Sequence, residues 1–262
     1  EEESVTEINN TPADNLIANN FFLRSPKKIA QLFDPNAFPR LEATEREAQE
    51  IQSILNLPAE QIKLQSQANE TLLKQVQSPY VLHIATHGFF LDKLSQTDSN
   101  VALNQIDGNP LLRSGLALAG VTSNLNQVQP ENDGILTAYE TTLLNLARTE
   151  LVVLSACDTG RGDVSTGEGI YGLRRALVIA GSKSQLISLW KVEDEGTKNL
   201  MTAYYKQLMQ GVGRTEALHE VQKQMLRGVL KRENGQSYQH PYYWASFIPS
   251  GDWTPIEMSD RN

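Results

Sequence analysis

The sequence predicts an α/β fold, an α/β/α sandwich with helices on both faces of a mostly parallel central sheet. Three short apolar runs that carry no acidic or lysine side chains support this prediction, and they occupy residues 80–86, 151–156 and 185–190. Strands that are buried on both faces have this composition, and such strands belong to parallel sheets covered by helices. Helical patterns between the runs predict the covering layers.

The composition limits the class of protein. The chain has 262 residues, of which 40% are hydrophobic and 21% charged, and it is long enough to bury a full core. Its apolar runs are shorter than the ~18 residues that span a bilayer, so no membrane association is expected. A net charge of -8 argues against direct binding of nucleic acid. The single cysteine excludes an internal disulfide and fits a reducing, cytoplasmic compartment.

The termini suggest that the sequence belongs to a longer protein. The first residues are acidic and lack the pattern of a secretory signal. Residues 1–37 contain several prolines and little periodicity, and we interpret them as an irregular lead-in or linker. The main domain is expected at residues 38–255, followed by a tail at 256–262.

Capping residues and prolines set the predicted elements in the first part of the chain. Thr44 and Glu47 have the spacing of a capping box, and the helix that they begin should end before Pro58. Residues 61–65 are predicted to form a strand, and Asn69 is expected to cap a short helix. The strand 80–86 follows.

The later part of the chain alternates helices and strands. Residues 88–135 form the least regular stretch, and long irregular segments in compact domains are usually functional or disordered. We expect the polar segment 91–133 within it to act as a control element. Helices are predicted at 138–147, 170–180, 196–210 and 215–230, and a closing strand is predicted at 242–248.

The lone cysteine and one histidine follow two of the apolar runs. Cys157 stands one residue after the run 151–156, and His87 stands directly after the run 80–86. Ligands of open α/β sheets bind beyond the carboxyl ends of the strands. If the two strands are adjacent and parallel, they lie roughly 5 Å apart, and His87 and Cys157 leave the sheet side by side. A lone cysteine can also be a small buried apolar residue. The apolar run 80–86, which ends before His87, is the observation that favours a catalytic role for Cys157.

A cysteine beside a histidine has a defined chemistry. A neighbouring imidazole converts the thiol into the nucleophilic thiolate, and the same imidazole can protonate a leaving amine. The tetrahedral intermediate needs backbone donors, and the amides of Gly88 and Cys157 are the candidates for this oxyanion hole. His83 is interpreted as a satisfied core or surface residue. One cysteine and scattered histidines have no zinc-ligand spacing, so neither a metal nor a cofactor is expected.

A glycine motif favours a competing hypothesis, a dinucleotide-binding domain. Residues 167–172 read G-E-G-I-Y-G and open a predicted helix, as in dinucleotide-binding proteins. That fingerprint places its first glycine in a tight turn directly after a strand. About ten polar residues separate this glycine from Ala156, which favours an ordinary glycine loop before a helix.

Several segments together resemble the CHAT domain, a caspase-like family related to separases. The segments are A-T-H-G at 85–88, L-S-A-C-D-T-G at 154–160, G-E-G-I-Y-G-L-R-R-A at 167–176, S-L-W-K-V-E-D at 188–194 and H-P-Y-Y-W-A at 240–245. In bacteria such domains are commonly fused to tetratricopeptide repeats. The resemblance implies the caspase–haemoglobinase fold and a cysteine endopeptidase with His87 as general base and Cys157 as nucleophile. It implies a cytosolic bacterial enzyme regulated by the rest of a longer protein.

The resemblance also suggests a substrate. In the separase relatives an acidic residue after the tryptophan-bearing strand meets a basic P1 side chain, and Asp194 occupies that place. Cleavage of protein substrates after Arg or Lys is therefore expected, with Glu193 and Asp158 as weaker candidates for the same pocket. Asp194 as a helix cap is the competing interpretation. A CHAT-like protein-interaction module without peptidase activity is the alternative function.

Overall fold

A computed structural model describes residues 38–91, 109–121, 132–158, 168–190 and 193–257. The predicted lead-in at 1–37 and most of the predicted tail lie outside these residues. The helices are α1 (Glu42–Leu55), α2 (Glu70–Lys74), α3 (Pro110–Arg113), α4 (Ala138–Thr141), α5 (Glu168–Ile179), α6 (Asp194–Met209) and α7 (Arg214–Leu226). The strands are β1 (Val81–Phe90), β2 (Ser114–Ala117), β3 (Ile135–Thr137), β4 (Leu151–Asp158), β5 (Ser184–Ser188) and β6 (Phe247–Gly251).

The described strands form one mixed sheet in the order β3-β2-β1-β4-β5-β6. The central strands β1, β4 and β5 are parallel to one another. The outer pairings β1–β2, β2–β3 and β5–β6 are antiparallel. Since β3 runs in the direction of β1, only β2 and β6 oppose the other strands. The α/β class predicted from the apolar runs is confirmed, with a sheet that is mixed rather than uniformly parallel.

Both faces of the sheet are covered, because the side chains of β4 alternate between two apolar clusters. Leu151 and Val153 belong to the cluster that contains buried residues of α1, α6 and α7. Val152 and Leu154 belong to the cluster that contains buried residues of α2, α4 and α5. Residues 151–155 of β4 are therefore buried, with side chains on both faces of the sheet, as their uncharged sequence predicts. No helix in the described ranges is long and apolar enough to cross a membrane.

Two of the expectations for the first part of the chain were wrong. Residues 61–65 are not a strand, because 3-10 turns at Ala59–Gln61 and Gln65–Gln67 frame an extended connection. Thr44 does not cap α1, since the helix already begins at Glu42 and the Thr44 hydroxyl donates to the Leu41 carbonyl at 2.8 Å. Asn69 does cap α2, by accepting from the amide of Leu72 at 3.0 Å.

The later expectations differ from the structure mainly at the sheet edges. Residues 91–133 contain α3 and β2, although 92–108 and 122–131 of the expected control element lie outside the described residues. The helix expected at 138–147 ends at Thr141. The closing strand begins at Phe247, because 241–243 form a 3-10 turn. Each of these segments is short, so its conformation depends on contacts with its neighbours more than on its own periodicity.

Gly115 in β2 provides a test of the packing at the edge of the sheet. A Cβ at this position would lie 2.6 Å from the Leu136 carbonyl oxygen and 2.7 Å from Cζ of Phe89. We expect Gly115→Ala to lower the free energy of unfolding by about 3 kcal/mol, because a buried backbone atom cannot move aside. Urea unfolding measures the loss. Gly211→Ala is the control, since a Cβ there meets nothing within 4 Å and its positive φ alone should cost about 1 kcal/mol. Equal losses in the two variants would contradict the packing argument.

Candidate functional site

The pairing of β1 with β4 brings the two predicted site residues together. In this parallel ladder His87 is the register partner of Cys157, and Gly88 is the partner of Asp158. Register partners on neighbouring strands occupy the same face of a sheet, roughly 5 Å apart. The strands do not end where the sequence suggested, since β1 continues to Phe90 and β4 to Asp158. The pair therefore lies within the last residues of the ladder and not beyond it.

His87 is held by the segment that precedes α1. The imidazole is 5% exposed, and its Nε2 lies 2.6 Å from the carbonyl oxygen of Pro39. The ring of Phe38 packs at 5.7 Å from the imidazole. A carbonyl can only accept a hydrogen bond, so Nε2 carries the hydrogen. In the neutral ring Nδ1 then carries the lone pair. Sequence reasoning missed this contact, because a main-chain carbonyl leaves no signature in the sequence.

The amide of Gly88 is directed toward β4. The amide of Leu91 donates to the Arg113 carbonyl at 2.7 Å, which makes Leu91 a hydrogen-bonded residue of the β1–β2 ladder. Successive amides of a strand alternate in direction, so the amides of the odd-numbered residues here are directed at β2. Gly88 is even-numbered, so its amide is directed at the other neighbour of β1, which is β4, the strand that contains Cys157.

The three acidic residues predicted for a substrate pocket differ in their surroundings. Glu193 is the N-cap residue of α6, without a side-chain capping bond, and its carboxylate forms an ion pair with Arg232. Asp194 is the first residue of α6, where a negative charge stabilises the helix dipole. Within the described part of the chain, its carboxylate has no hydrogen bond or ion pair. Asp158 is the last residue of β4.

His83 lies on the same face of β1 as His87, four residues earlier. Its Nδ1 lies 3.0 Å from the Tyr205 hydroxyl, and its Nε2 lies 3.1 Å from Oε1 of Glu47. These two partners come from α6 and α1. The interpretation of His83 as a satisfied core or surface residue holds for Nδ1, which bonds Tyr205, whereas Nε2 makes no hydrogen bond within the described residues. Among the described residues, no group of three His, Cys, Asp or Glu side chains is arranged to hold a metal ion.

A second cluster of acidic side chains joins α2, β3 and α4 on the opposite side of the sheet. Glu70 is 2% exposed, accepts from the amide of Gly134 at 3.0 Å and pairs with Lys74 at 2.5 Å. Burial raises the pKa of Glu70 to about 7 against the opposing effect of Lys74, and nearby Asp133 and Glu140 raise it further. Burial also raises the pKa of Asp133.

The raised pKa of Glu70 predicts a pH dependence of stability. The folded state binds a proton in the window from about pH 4.5 to about pH 7 that the unfolded chain has released, so the free energy of unfolding falls as pH rises through that window. Glu70→Gln removes the titrating group and keeps an acceptor for Gly134, so we expect a flatter profile. Urea unfolding across this window measures both slopes. Glu216→Gln, an exposed glutamate on α7, is the control. A slope as steep in Glu70→Gln as in the unmodified chain would contradict the assignment.

A comparison with protein families identifies the domain. The family model described as "CHAT domain" matches residues 2–252 of the 262. The chain belongs to the CHAT domain family. This is a caspase-like, peptidase-related family, and the α/β architecture with its mixed six-stranded sheet of described strands is consistent with it.

Two relatives of this CHAT domain are much longer proteins. Tetratricopeptide repeat protein 28 of Mus musculus is 29% identical over 133 residues, which are 51% of this chain and 5% of that protein. Tetratricopeptide repeat protein 28 of Homo sapiens is 30% identical over 128 residues, or 49% of this chain and 5% of that protein. The CHAT domain therefore matches a small part of the length of both relatives.

The glycine motif of the CHAT domain does not meet the geometry of a dinucleotide fingerprint. β4 ends at Asp158, and α5 begins at Glu168. Gly167, the first glycine of the motif, lies outside the described residues. It follows the last residue of β4, Asp158, by nine positions, whereas the fingerprint needs it in the turn directly after the strand. The geometry therefore favours the helix-preceding loop.

Proposed function

We propose that this CHAT domain is a cysteine endopeptidase in which Cys157 is the nucleophile and His87 the general base. The observation that carries the proposal is the in-register pairing of these residues on the adjacent parallel strands β1 and β4. Neighbouring strands place paired residues close enough for an imidazole and a thiol to exchange a proton. A pairing displaced by one residue would have put the two on opposite faces of the sheet.

The contact with Pro39 suits His87 to act as a base. The Nε2–H donates to the Pro39 carbonyl, so Nδ1 is the nitrogen that accepts the proton of the thiol. The same contact stabilises the imidazolium that forms, because a charged donor makes a stronger hydrogen bond than a neutral one. The carbonyl thus orients the ring and fixes its tautomer, as a carboxylate does in serine proteases.

The reaction proceeds by acyl transfer through the sulfur. The thiolate of Cys157 attacks the carbonyl carbon of the scissile peptide bond, and the carbonyl oxygen becomes an oxyanion. When this intermediate collapses, the C–N bond breaks and the His87 imidazolium donates its proton to the leaving amine. Water then attacks the thioester, with His87 as the base, and releases the acid and the free thiol. The electrons and protons balance without a cofactor or a metal.

Backbone amides stabilise the oxyanion. In this proposal the amides of Gly88 and Cys157, which lie near the end of the β1–β4 ladder, are the two donors to the oxyanion. Gly88 has no side chain that would obstruct a carbonyl oxygen beside the thiol. Its buried position between β2 and β4 keeps water away from the charge.

The acidic residues after β5 suit a peptide substrate with a basic side chain at P1. Arg232 already neutralises Glu193, so this carboxylate is the less suitable partner for a substrate arginine or lysine. Asp194 stands next to it without a pairing cation in the described part of the chain. We therefore assign the contact with a P1 Arg or Lys to Asp194, with Glu193 and Asp158 as the alternatives.

In this proposal the domain belongs to a longer cytoplasmic protein, and another region of that protein regulates it. The matched relatives are named for tetratricopeptide repeats, and the match covers 5% of each of them. A tetratricopeptide or other regulatory region of the same protein is therefore the proposed controlling partner. The burial of His87 under Phe38 and Pro39 supports control, because a substrate must reach a base that is 5% exposed.

Labelling with a peptidyl electrophile that carries arginine at P1 tests the proposal. We expect covalent modification of the full chain at Cys157, located by mass spectrometry, and no modification of Cys157→Ala. A reagent with aspartate at P1 should react more slowly. Failure of Cys157 to react faster than a free thiol would reject the peptidase.

The second candidate function is a protein-interaction module without peptidase activity. The same burial of His87 favours it, since a permanently covered base has no access to a substrate. An unreactive Cys157 in a chain that binds a tetratricopeptide partner would support this candidate. Modification of Cys157 that depends on His87 would exclude it.

A further inference from the structure

The buried side chains of Glu47 and Tyr205 lie on either side of the half-buried His83, which is on the same strand as His87. Glu47 lies on α1 and is 2% exposed, His83 lies on β1, and Tyr205 lies on α6 and is 0% exposed. Nε2 of His83 is 3.1 Å from Glu47, and Nδ1 is 3.0 Å from the Tyr205 hydroxyl. The His83 and Tyr205 rings are stacked, with centroids 5.7 Å apart and an interplanar angle of 26°. The peptidase mechanism uses none of the three.

These contacts hold α1 at one position on the sheet. A buried carboxylate is strongly unfavourable without a partner, and the His83 ring is the group that faces Glu47 from β1. Burial raises the pKa of Tyr205 well above its usual value, so the hydroxyl keeps its proton and can donate it to Nδ1 of His83. Nε2 is then the ring nitrogen that faces Glu47, at an ion-pair distance of 3.1 Å without the geometry of a hydrogen bond. Any shift of α1 along β1 would separate a buried charge from its partner.

The position of α1 determines the position of the carbonyl that orients His87. Pro39 precedes the first residue of α1, Glu42, by three positions, and its carbonyl accepts from Nε2 of His87 at 2.6 Å. The two histidines lie on one face of one strand, about 13 Å apart along β1. α1 and the residues before it are thus attached to β1 at both histidines.

We propose that Glu47, His83 and Tyr205 are positioning residues for the peptidase, which act by holding α1 so that the Pro39 carbonyl orients His87. This inference rests on the proposed function only for its effect on rate. The geometric part, that the network sets the contact between Pro39 and His87, applies to the folded chain whether or not it cleaves peptides.

The test compares Glu47→Gln and Tyr205→Phe with Thr202→Val. Glutamine keeps the shape of the side chain and removes its charge, and phenylalanine keeps the stacked ring and removes the hydroxyl. Thr202→Val is the matched control, because it removes the 2.8 Å hydrogen bond from Thr202 to Glu50 that also joins α6 to α1 but does not involve β1. Urea unfolding shows whether each variant is folded.

The first measurement is the rate of alkylation of Cys157 against pH. We expect Glu47→Gln to lower the rate about tenfold near pH 6 and Tyr205→Phe about threefold, because the displaced carbonyl no longer stabilises the imidazolium. Above about pH 9 the thiol ionises without help, and the rates should converge. An unfolded chain keeps an alkylatable thiol with an ordinary pKa, so urea unfolding and not the pH profile shows that the loss belongs to folded protein. In peptide hydrolysis kcat should fall with KM nearly unchanged.

The second measurement is the nitrogen chemical shifts of the His87 ring, which report the tautomer and need no activity. The unmodified chain and Thr202→Val should show hydrogen on Nε2, and Glu47→Gln a mixture of tautomers. A reactive unmodified chain with unchanged rates and an unchanged tautomer in both variants would overturn the positioning role. If Glu47→Gln does not fold, the alkylation rate and the His87 tautomer of Tyr205→Phe decide whether the positioning role holds. An unreactive Cys157 in the unmodified chain would reject the peptidase, and the tautomer comparison would still decide the inference.

Discussion

Peptide hydrolysis is expected to disappear in Cys157→Ala and to fall by roughly 10³-fold or more in His87→Ala. Alanine at position 157 has no sulfur atom, so the thioester of the acyl intermediate cannot form. The alanine at position 87 leaves a thiol that is mostly protonated at neutral pH and a leaving amine without a proton donor. The kcat/KM for release of a fluorophore from a peptide with arginine at P1 measures both losses.

A matched histidine variant separates chemistry from folding in this experiment. His219 is exposed on α7, and His219→Ala should keep the full rate. Urea unfolding of each variant shows that the loss belongs to the site. Retention of more than about a tenth of the activity in His87→Ala would remove His87 from the role of general base.

Cleavage after arginine or lysine is expected to depend on Asp194. In Asp194→Asn, kcat/KM for substrates with a basic P1 residue should fall about 100-fold, since a charged hydrogen bond contributes ~1.5–3 kcal/mol. Substrates with leucine at P1 should be cleaved at nearly the original rate. A peptide library with varied P1 residues measures both effects in one assay.

The neighbouring carboxylates are the controls for the pocket. Glu193→Gln should have a smaller effect on P1 preference, because Arg232 already neutralises Glu193. A selective loss in Glu193→Gln or in Asp158→Asn, with Asp194→Asn unchanged, would move the pocket to that residue. Unchanged P1 preference in all three variants would end the hypothesis of a basic substrate.

The interior elements of this fold are predictable because their signals are local. The nearly uncharged run beginning at Leu151 identifies a strand buried on both faces, and β4 is such a strand. α5, α6 and α7 begin and end within a few residues of their predicted limits, since each carries an apolar stripe and a glycine or cap at its end.

The edge of the sheet is less predictable. β2 and β3 have four and three residues. So short a segment has no periodicity of its own, and it becomes a strand because a neighbouring strand supplies backbone partners, β1 for β2 and β2 for β3. The expected strand at 61–65 has an alternating pattern but no neighbouring strand to pair with, and it forms turns instead.

The amino-acid sequence was enough to identify the residue types available for chemistry and their positions along two apolar runs. Three signals were sufficient to name the candidates. The lone cysteine is Cys157, the histidine before a glycine gives His87 and Gly88, and the acidic pair after a third strand includes Asp194. These inferences hold because hydrophobic burial and chain direction act on neighbouring residues. The local signals therefore identified the two strands that carry the candidate residues.

The register of the strands and the supporting contacts depend on the three-dimensional fold. The pairing of His87 with Cys157 depends on how two strands some 70 residues apart align, and a displacement of one residue would have separated their faces. The Pro39 carbonyl and the line from Glu47 through His83 to Tyr205 join parts of the chain that share no sequence pattern. Such contacts arise from packing of distant segments, where the partner of each group is set by three-dimensional proximity and not by spacing along the chain.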